Sequence, residues 1–254
     1  RAWRAAAMWR TSWLSREVIC LPIVMGLIVA YWLLQFLNLD TVIFILPNTF
    51  PVMLSTLIGL FAFFAVLILF VCTAMIYTCL KFLRQWHHPL TVVNFTFMGL
   101  ASGFTLATVV SAAGSGDYFN YFANTAITLT IIALLTRFLS IQRNRNLRSP
   151  SSLQSAIGIH HPNIRQLAQG AMGGSFNTRA FIHQYGATVV LLARRFLLLS
   201  GFILPVILLL LADETSVIFC GFAFMLQMAG FMVERWYFFI EAEHPQNIYY
   251  QMIS

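Results

Sequence analysis

Six long apolar stretches dominate the pattern of hydrophobic and polar positions along the chain, and short polar segments separate them. Each stretch approaches or exceeds the roughly 20 residues with which a helix crosses a hydrocarbon core of about 30 Å. The stretches are continuous rather than alternating, which favours helices over the strands of a closed barrel. We therefore predict an all-α polytopic membrane protein, a bundle with transmembrane helices near residues 18–37, 52–80, 90–113, 119–136, 196–212 and 216–238.

The composition supports this prediction. Hydrophobic residues make up 59% of the chain and charged residues only 9%, whereas soluble domains have about a quarter charged residues. We predict one integral membrane domain over residues 1–254, with a long basic extramembrane loop over residues 142–186. The chain begins at Arg1 without a methionine or a signal peptide, so we expect it to be the N-terminally truncated part of a longer protein.

Charge is distributed unequally between the two predicted faces. If the spans alternate in direction, all 15 lysines and arginines lie on one face. The opposite face then carries only acidic residues, namely Asp40, Asp117, Asp213 and Glu214. The positive-inside rule would make the basic face cytoplasmic. Clustered positive charge also suits the docking of an acidic partner subunit, and the sequence leaves the compartment of the basic face open.

A polar segment over residues 10–17 directly precedes the first apolar stretch. It contains two arginines, hydroxyl groups, a tryptophan and the carboxylate of Glu17. These groups offer a proton acceptor, hydrogen-bond donors and an aromatic wall to an amphipathic ligand. The alternative is plain anchoring at the interface, with Trp in the headgroup region and Arg on phosphates. Glu17 fits anchoring less well, because a carboxylate on the first turn of a membrane helix is costly unless it is paired, hydrated or used.

A second set of polar residues lies at the end of the last apolar stretch, and we predict that this end of the span lies on the basic face. The set consists of Glu234, Arg235, Glu241 and His244. We interpret these residues as support for a site or an interface, and the alternative for Glu234 and Arg235 is a local interfacial ion pair. The polar residues of the third span indicate either close helix packing or a polar lining.

Some classes of site are disfavoured by the sequence. No histidine lies in the middle of a predicted span, which argues against haem. No charged residue lies deep in a predicted span, which weakens the interpretation as an ion-coupled transporter. The adjacent His87 and His88 point about 100° apart on a helix and are poorly placed to share a metal. We predict no metal site in this chain.

The two ends of the chain carry a family resemblance. The string RAW…WRTSWLSREV at residues 1–18 and the string VERWYFFIEAEHPQNIYY at residues 233–250 resemble the dimethyl sulfoxide reductase anchor subunit family of bacterial molybdoenzyme complexes. The resemblance implies a haem-free subunit with eight helices, six of them visible here, in the bacterial cytoplasmic (inner) membrane. It also implies oxidation of menaquinol in anaerobic respiration. Electrons would pass to an iron-sulfur subunit and then to a molybdopterin catalytic subunit, so the clusters and molybdopterin would belong to partners.

The resemblance also assigns a site. Glu17 matches the family's carboxylate after the polar segment, and we predict that it accepts a proton from the quinol hydroxyl. The family's upstream histidine, in a His-Leu-Gly segment, has no counterpart in this chain. The other predicted quinol-binding residues have supporting roles. Arg10 or Arg16 would keep Glu17 ionised, Ser12 and Ser15 would orient the quinol headgroup, and Trp13 would pack against the quinol ring. The alternatives are a multi-pass transporter and a passive anchor that binds no quinol. The terminal electron acceptor, and whether this chain is an enzyme in its own right, stay open.

Overall fold

The computed structural model describes residues 2–45, 51–147, 152–165, 167 and 185–243. Within these residues, six helices are long and apolar enough to cross a membrane. The predicted all-α polytopic membrane fold is therefore confirmed. The chain divides into two compact units, an N-terminal unit Arg1–Cys79 and a C-terminal unit Leu80–Ser254.

The N-terminal unit is a helical hairpin. A 3-10 helix, Ala2–Ala6, leads into α1, Trp13–Phe36, and α1 packs along α2, Leu54–Thr78. Two short antiparallel strands, β1 Val42–Ile45 and β2 Pro51–Met53, lie between the helices. Pro51 occupies the first position of β2, a strand position that proline tolerates.

Asp40 fixes the start of α2 onto the end of α1. Its carboxylate accepts hydrogen bonds from the Ser55 hydroxyl at 2.5 Å, the Ser55 backbone N–H at 3.0 Å and the Gln35 amide at 3.2 Å. These bonds, led by the Ser55 hydroxyl, lower the pKa of Asp40 below its ordinary value. The acidic residue predicted for this connection thus has a structural role.

The C-terminal unit contains the other four spans. They are α3 Pro89–Ala113, α4 Phe119–Arg145, a helix over Ala187–Leu211 and α8 Val217–Ile240. The third of these is formed by α6 Ala187–Leu198, a π-helical turn Leu199–Ile203 and α7 Leu204–Leu211. A short helix, α5 Leu153–Ile157, lies between α4 and α6. Helix α8 packs against α3, α6 and α7, and α4 packs against α3 and α7.

Two spans are longer than the sequence predicted. Helix α4 continues from the predicted end at Thr136 to Arg145, so Arg137, which the prediction placed just outside the span, is helical and buried. Helix α6 begins at Ala187, which places Arg194 and Arg195 inside the helix rather than at its edge. Hydropathy ends a predicted span at the first charged residue, whereas α4 continues past Arg137 because that arginine pairs with Glu234 of α8.

The two turns at the acidic end of the C-terminal unit come together, as the charge pattern predicted. The Asn120 amide, at the start of α4, donates a hydrogen bond of 3.4 Å to Glu214 in the turn before α8. A side-chain carbon at Gly116 would lie 3.6 Å from Cβ of the same glutamate. The turns that carry Asp117 and Asp213 therefore lie at the same end of this unit.

Glycines allow α8 to approach the π-helical turn. A methyl group at Gly230 would overlap the backbone N and Cα of Gly201 and would lie 2.7 Å from the Ser200 hydroxyl. Within the turn, the Leu204 N–H bonds to the Leu199 carbonyl, five residues earlier, and Pro205 follows without an N–H to offer. The wider turn thus accommodates the proline and brings Gly201 against α8.

We expect Gly230→Ala to lower the free energy of unfolding of the protein by about 1–3 kcal/mol, the usual cost of overpacking a tight contact. The two nearest contact atoms belong to the Gly201 backbone, so they have little freedom to move aside. Thermal unfolding in detergent measures the effect. Gly221→Ala in the same helix is the matched control, because its added methyl group would meet nothing within 4 Å. Equal stability of the two variants would contradict the tight crossing.

Candidate functional site

Glu17 is held by a partner from the second helix of the N-terminal unit. The Thr73 hydroxyl in α2 donates a hydrogen bond of 2.6 Å to Glu17 Oε1. The carboxylate is half-buried on the second turn of α1, and Ser15 beside it is buried. Among the described residues, the other oxygen of Glu17 has no hydrogen-bond partner.

The arginines of the polar segment do not pair with Glu17. Arg16 donates hydrogen bonds of 2.9 Å to the carbonyls of Trp9 and Arg10, and its guanidinium lies 4.1 Å from the centre of the Trp13 ring. Arg10 lies over the ring of Trp9 at 5.3 Å. Within the described part of the chain Glu17 forms no ion pair, so the predicted pairing of Glu17 with Arg16 or Arg10 is not seen. A rigid guanidinium fork instead fixes the segment onto the start of α1.

The remaining predicted residues lie at the same helix start. Ser12 is the residue that precedes α1, with extended backbone and no side-chain bond to the helix. Trp13 begins α1 and is half-buried, and Arg16 covers one face of its ring. The structure thus gathers the predicted set around the first two turns of α1, although it gives the arginines a different role.

Sequence reasoning missed Thr73, although hairpin geometry contains a signal for it. In a helical hairpin, residues at equal distances from the turn face each other. Glu17 and Thr73 are each 28 residues from Ile45, and they are hydrogen-bonded. Tyr31 and Gly59 are each 14 residues from Ile45, and a side-chain carbon at Gly59 would lie 3.5 Å from the Tyr31 ring. A single threonine does not interrupt the hydrophobic pattern of a Phe-rich and Leu-rich span, so Thr73 was not predicted as a site residue.

A second polar cluster lies inside the C-terminal unit and is built on Glu234. Arg137 Nε lies 2.8 Å from Glu234 Oε1, in an ion pair whose N–H is not aligned on the oxygen. Arg235 binds the other oxygen, with Nε at 2.5 Å. The Arg137 and Glu234 side chains are 2% and 0% exposed. The alternative of a local interfacial pair is therefore wrong, because Glu234 is fully buried and bridges α8 to α4.

Aromatic rings enclose the second arginine of this cluster. The Arg235 guanidinium lies 3.9 Å from the centre of the Phe95 ring and 5.1 Å from that of Phe238. The arginine is therefore neutralised by Glu234 and held on another side by cation–π contacts with the ring faces. The sequence offered no reason to expect this, because the apolar partners come from α3 and from a later turn of α8.

Glu241 extends the cluster toward solvent. Its Oε2 accepts a hydrogen bond of 3.2 Å from the Asn144 amide and lies 3.8 Å from Arg137 Nη2. Burial raises the pKa of Glu241 above its ordinary value, and the neighbouring Arg137 opposes that rise. Of the four residues predicted at this end, Glu234, Arg235 and Glu241 come together, and His244 lies outside the described residues.

The other candidate residues have local roles. His88 precedes α3, and its ring nitrogen accepts a hydrogen bond of 3.2 Å from the Leu90 N–H. Most hydroxyls of α3 bond to carbonyls of their own helix, as close packing requires. Asn94 differs, because its amide donates a bond of 2.8 Å to Ser140 of α4. No group of three or more potential metal ligands occurs among the described residues.

Comparisons with known proteins agree with the resemblance at the two ends of the chain. The family model "DMSO reductase anchor subunit (DmsC)" matches residues 1–250. A sulfite dehydrogenase subunit of Allochromatium vinosum is 46% identical over 258 residues, an alignment that covers 100% of this chain and 78% of the relative. No solved structure matches the chain. The chain belongs to the DMSO reductase anchor subunit (DmsC) family, and it is a multi-pass membrane anchor subunit of a molybdoenzyme complex that also contains iron-sulfur and molybdenum catalytic subunits.

Proposed function

We propose that this subunit exchanges electrons and protons with a quinone at Glu17, in the bacterial cytoplasmic membrane. In the direction implied by the family resemblance, it oxidises menaquinol and passes electrons to the iron-sulfur subunit. The observation that carries the proposal is the half-buried Glu17 carboxylate, which Thr73 holds by one oxygen while the other is left for a ligand.

The proposed chemistry needs few groups from this chain. Oxidation of a quinol releases two protons and two electrons. Glu17 would accept a phenolic proton, and Thr73 would keep the carboxylate oriented toward the quinol hydroxyl. Ser12 and Ser15 would orient the headgroup and the free face of Trp13 would cover the ring. Arg16 and Arg10 would hold this segment in place. Iron-sulfur clusters and molybdopterin would be supplied by the partner subunits, which the basic side chains of this chain would attract.

A second direction of electron flow is favoured by one observation, the 46% identity to a sulfite dehydrogenase subunit. In that case the catalytic partner would oxidise sulfite, and the electrons would reduce a quinone at Glu17. The protonated Glu17 would then donate its proton to the quinone oxygen, which is the reverse of the first mechanism. The same residues serve both directions.

Purification of the intact complex from its native membrane tests the proposal. We expect iron, molybdenum and two further subunits to co-purify. Menaquinol-dependent reduction of dimethyl sulfoxide supports the first direction, and sulfite-dependent reduction of a quinone analogue supports the second. A complex that exchanges electrons with no quinone would be a passive anchor, and solute flux in vesicles would indicate a transporter. Either result would overturn the proposal.

The bond from Thr73 leads to a separate expected result. Thr73→Val keeps the shape of the side chain but removes a hydrogen bond to a charged group, a contribution of about 1.5–3 kcal/mol. We expect quinone-dependent turnover to fall at least about tenfold. Thr56→Val is the matched control, because Thr56 is an exposed threonine on the same helix. Equal rates for the two variants would show that Thr73 does not position Glu17.

A further inference from the structure

Two cysteines of the N-terminal unit contact each other across the helical hairpin. Cys20 lies on α1 and Cys72 lies on α2, and their side chains are hydrogen-bonded to each other. Both thiols are free. The hairpin therefore brings together two oxidisable sulfur atoms from residues that are far apart in the sequence.

The register of the hairpin explains this contact. Cys20 lies three residues after Glu17, so the two side chains are neighbours on one face of α1. On α2, Cys72 directly precedes Thr73, the hydrogen-bond partner of Glu17. Because the helices are antiparallel, both cysteines lie on the side of the Glu17 hydrogen bond that faces the turn of the hairpin. Val24, four residues after Cys20, is buried, so this face of α1 is the one that packs on α2.

Charged groups of the candidate site lie near the cysteine pair. Arg16 and Glu17 are close enough to Cys72 to act on it through charge. Cys72 is buried, whereas Cys20 is half-buried and is the more accessible sulfur of the two. A molecule bound at Glu17 would therefore lie within about one helical turn of the pair.

The other two cysteines of the chain differ from this pair. Cys79 is exposed at the end of α2, and its thiol donates a hydrogen bond of 3.2 Å to the Ile76 carbonyl. Cys220 belongs to a hydrophobic cluster of the C-terminal unit with Phe119 and Leu209. A free cysteine usually acts as a small apolar core residue. That description fits Cys220, but it does not account for two thiols bonded to each other beside a carboxylate.

We propose that Cys20 and Cys72 are a redox-active pair that a quinone oxidises to a disulfide. The proposal rests on the proposed function, which brings the quinone to Glu17. The reaction breaks two S–H bonds and forms one S–S bond. The two electrons and the two protons pass to the quinone, which leaves as quinol. No further oxidant is needed, because a dithiol and a quinone exchange the same number of electrons and protons.

The position of the pair gives the reaction a consequence. The disulfide ties α1 covalently to α2 within about one turn of the hydrogen bond between Glu17 and Thr73. Where a compartment keeps thiols reduced, the disulfides that form are usually transient and either catalytic or redox-sensing. The pair thus couples the oxidation state of the quinone pool to the hairpin that holds Glu17.

Thiol counting in the intact complex tests the pair. The complex is reduced, freed of reductant under anaerobic conditions and treated with a dimethylnaphthoquinone, whose quinone ring has no open carbon to which a thiol can add. N-ethylmaleimide then labels the remaining thiols in denaturant, and mass spectrometry measures the labels on this chain. We expect the chain to lose two of its four thiols and to yield a peptide cross-linked between Cys20 and Cys72.

Two serine variants are matched controls for this measurement. Cys20→Ser keeps the approximate size of the side chain but cannot form the disulfide, so it should lose none of its remaining thiols. Cys79→Ser removes the exposed cysteine of the same helix and should still form the cross-link. Retention of all thiols in the wild type, or a loss of thiols without this cross-link, would overturn the proposal.

Diamide, a thiol oxidant that is not a quinone, separates this inference from the proposed function. We expect diamide to form the disulfide at equal rates in wild type and Glu17→Gln, and the quinone to form it at least about tenfold more slowly in Glu17→Gln. A disulfide that forms with diamide but not with the quinone would overturn this proposal alone. Equal quinone-driven rates in the two proteins would overturn the placement of the quinone beside the pair. Wild-type turnover in Glu17→Gln would overturn the proposed function.

Discussion

Glu17→Gln is expected to lower quinone-dependent turnover of the intact complex by about 10²–10⁴-fold, the contribution of a positioned proton acceptor. Glutamine has the size of glutamate, and its carbonyl oxygen still accepts the bond from Thr73 that Glu17 accepts at 2.6 Å. The substitution therefore removes the ability to take up a proton while it preserves the local geometry. The measurement is the steady-state rate with a menaquinol analogue or, in the reverse direction, with a quinone analogue.

Two controls isolate this effect. A reduced artificial donor that delivers electrons directly to the partner subunits should support equal rates in Glu17→Gln and wild type. Glu214→Gln, at an exposed carboxylate in the turn before α8, should leave quinone-dependent turnover unchanged. If Glu17→Gln and Glu214→Gln turn over at the same rate, Glu17 is not the proton acceptor.

Glu234→Gln is expected to have the largest effect on stability. The carboxylate is fully buried and neutralises Arg137, which is itself only 2% exposed. Its removal leaves a buried guanidinium group without its closest counter-charge, which costs about 3–5 kcal/mol. We expect a corresponding decrease in the free energy of unfolding and a lower yield of assembled complex. Thermal unfolding of the purified protein in detergent measures the loss.

A double variant distinguishes charge from shape. Replacing both members of the buried pair by apolar residues of similar volume, Glu234→Leu with Arg137→Met, removes the uncompensated charge of Arg137. Arg235 also loses its partner but is 30% exposed and can be hydrated, so we expect the double variant to recover part of the lost stability. Glu243→Gln serves as the exposed control and should unfold with the wild type. A single Glu234→Gln variant as stable as the control would contradict the structural role of the ion pair.

The helices were predictable because lipid imposes one requirement on every span. Long apolar runs must be helical, and a run of about 20 residues is enough to recognise one. The ends of the helices were less predictable. Arg137 was predicted to lie outside its span because the residue that neutralises it, Glu234, is supplied by α8. A pattern along one helix contains no information about a counter-charge on another.

The candidate site was predictable to a similar extent. Glu17 stood out because an acidic residue at the start of a membrane helix requires a reason. Its partner did not stand out, since Thr73 lies in a different apolar run and is recognised only when α1 and α2 are folded against each other. The arginines were assigned to Glu17 by proximity in sequence, yet the backbone carbonyls of Trp9 and Arg10 were nearer acceptors for Arg16.

The central claim is that electrons pass between a quinone at Glu17 and the iron-sulfur subunit. The most direct measurement is the redox state of the iron-sulfur clusters, followed by electron paramagnetic resonance after the intact complex is mixed rapidly with menaquinol. We predict rapid cluster reduction in the wild type and at least about 100-fold slower reduction in Glu17→Gln, with full reduction of both by a chemical reductant. Equally fast reduction of the clusters by menaquinol in Glu17→Gln would contradict the claim.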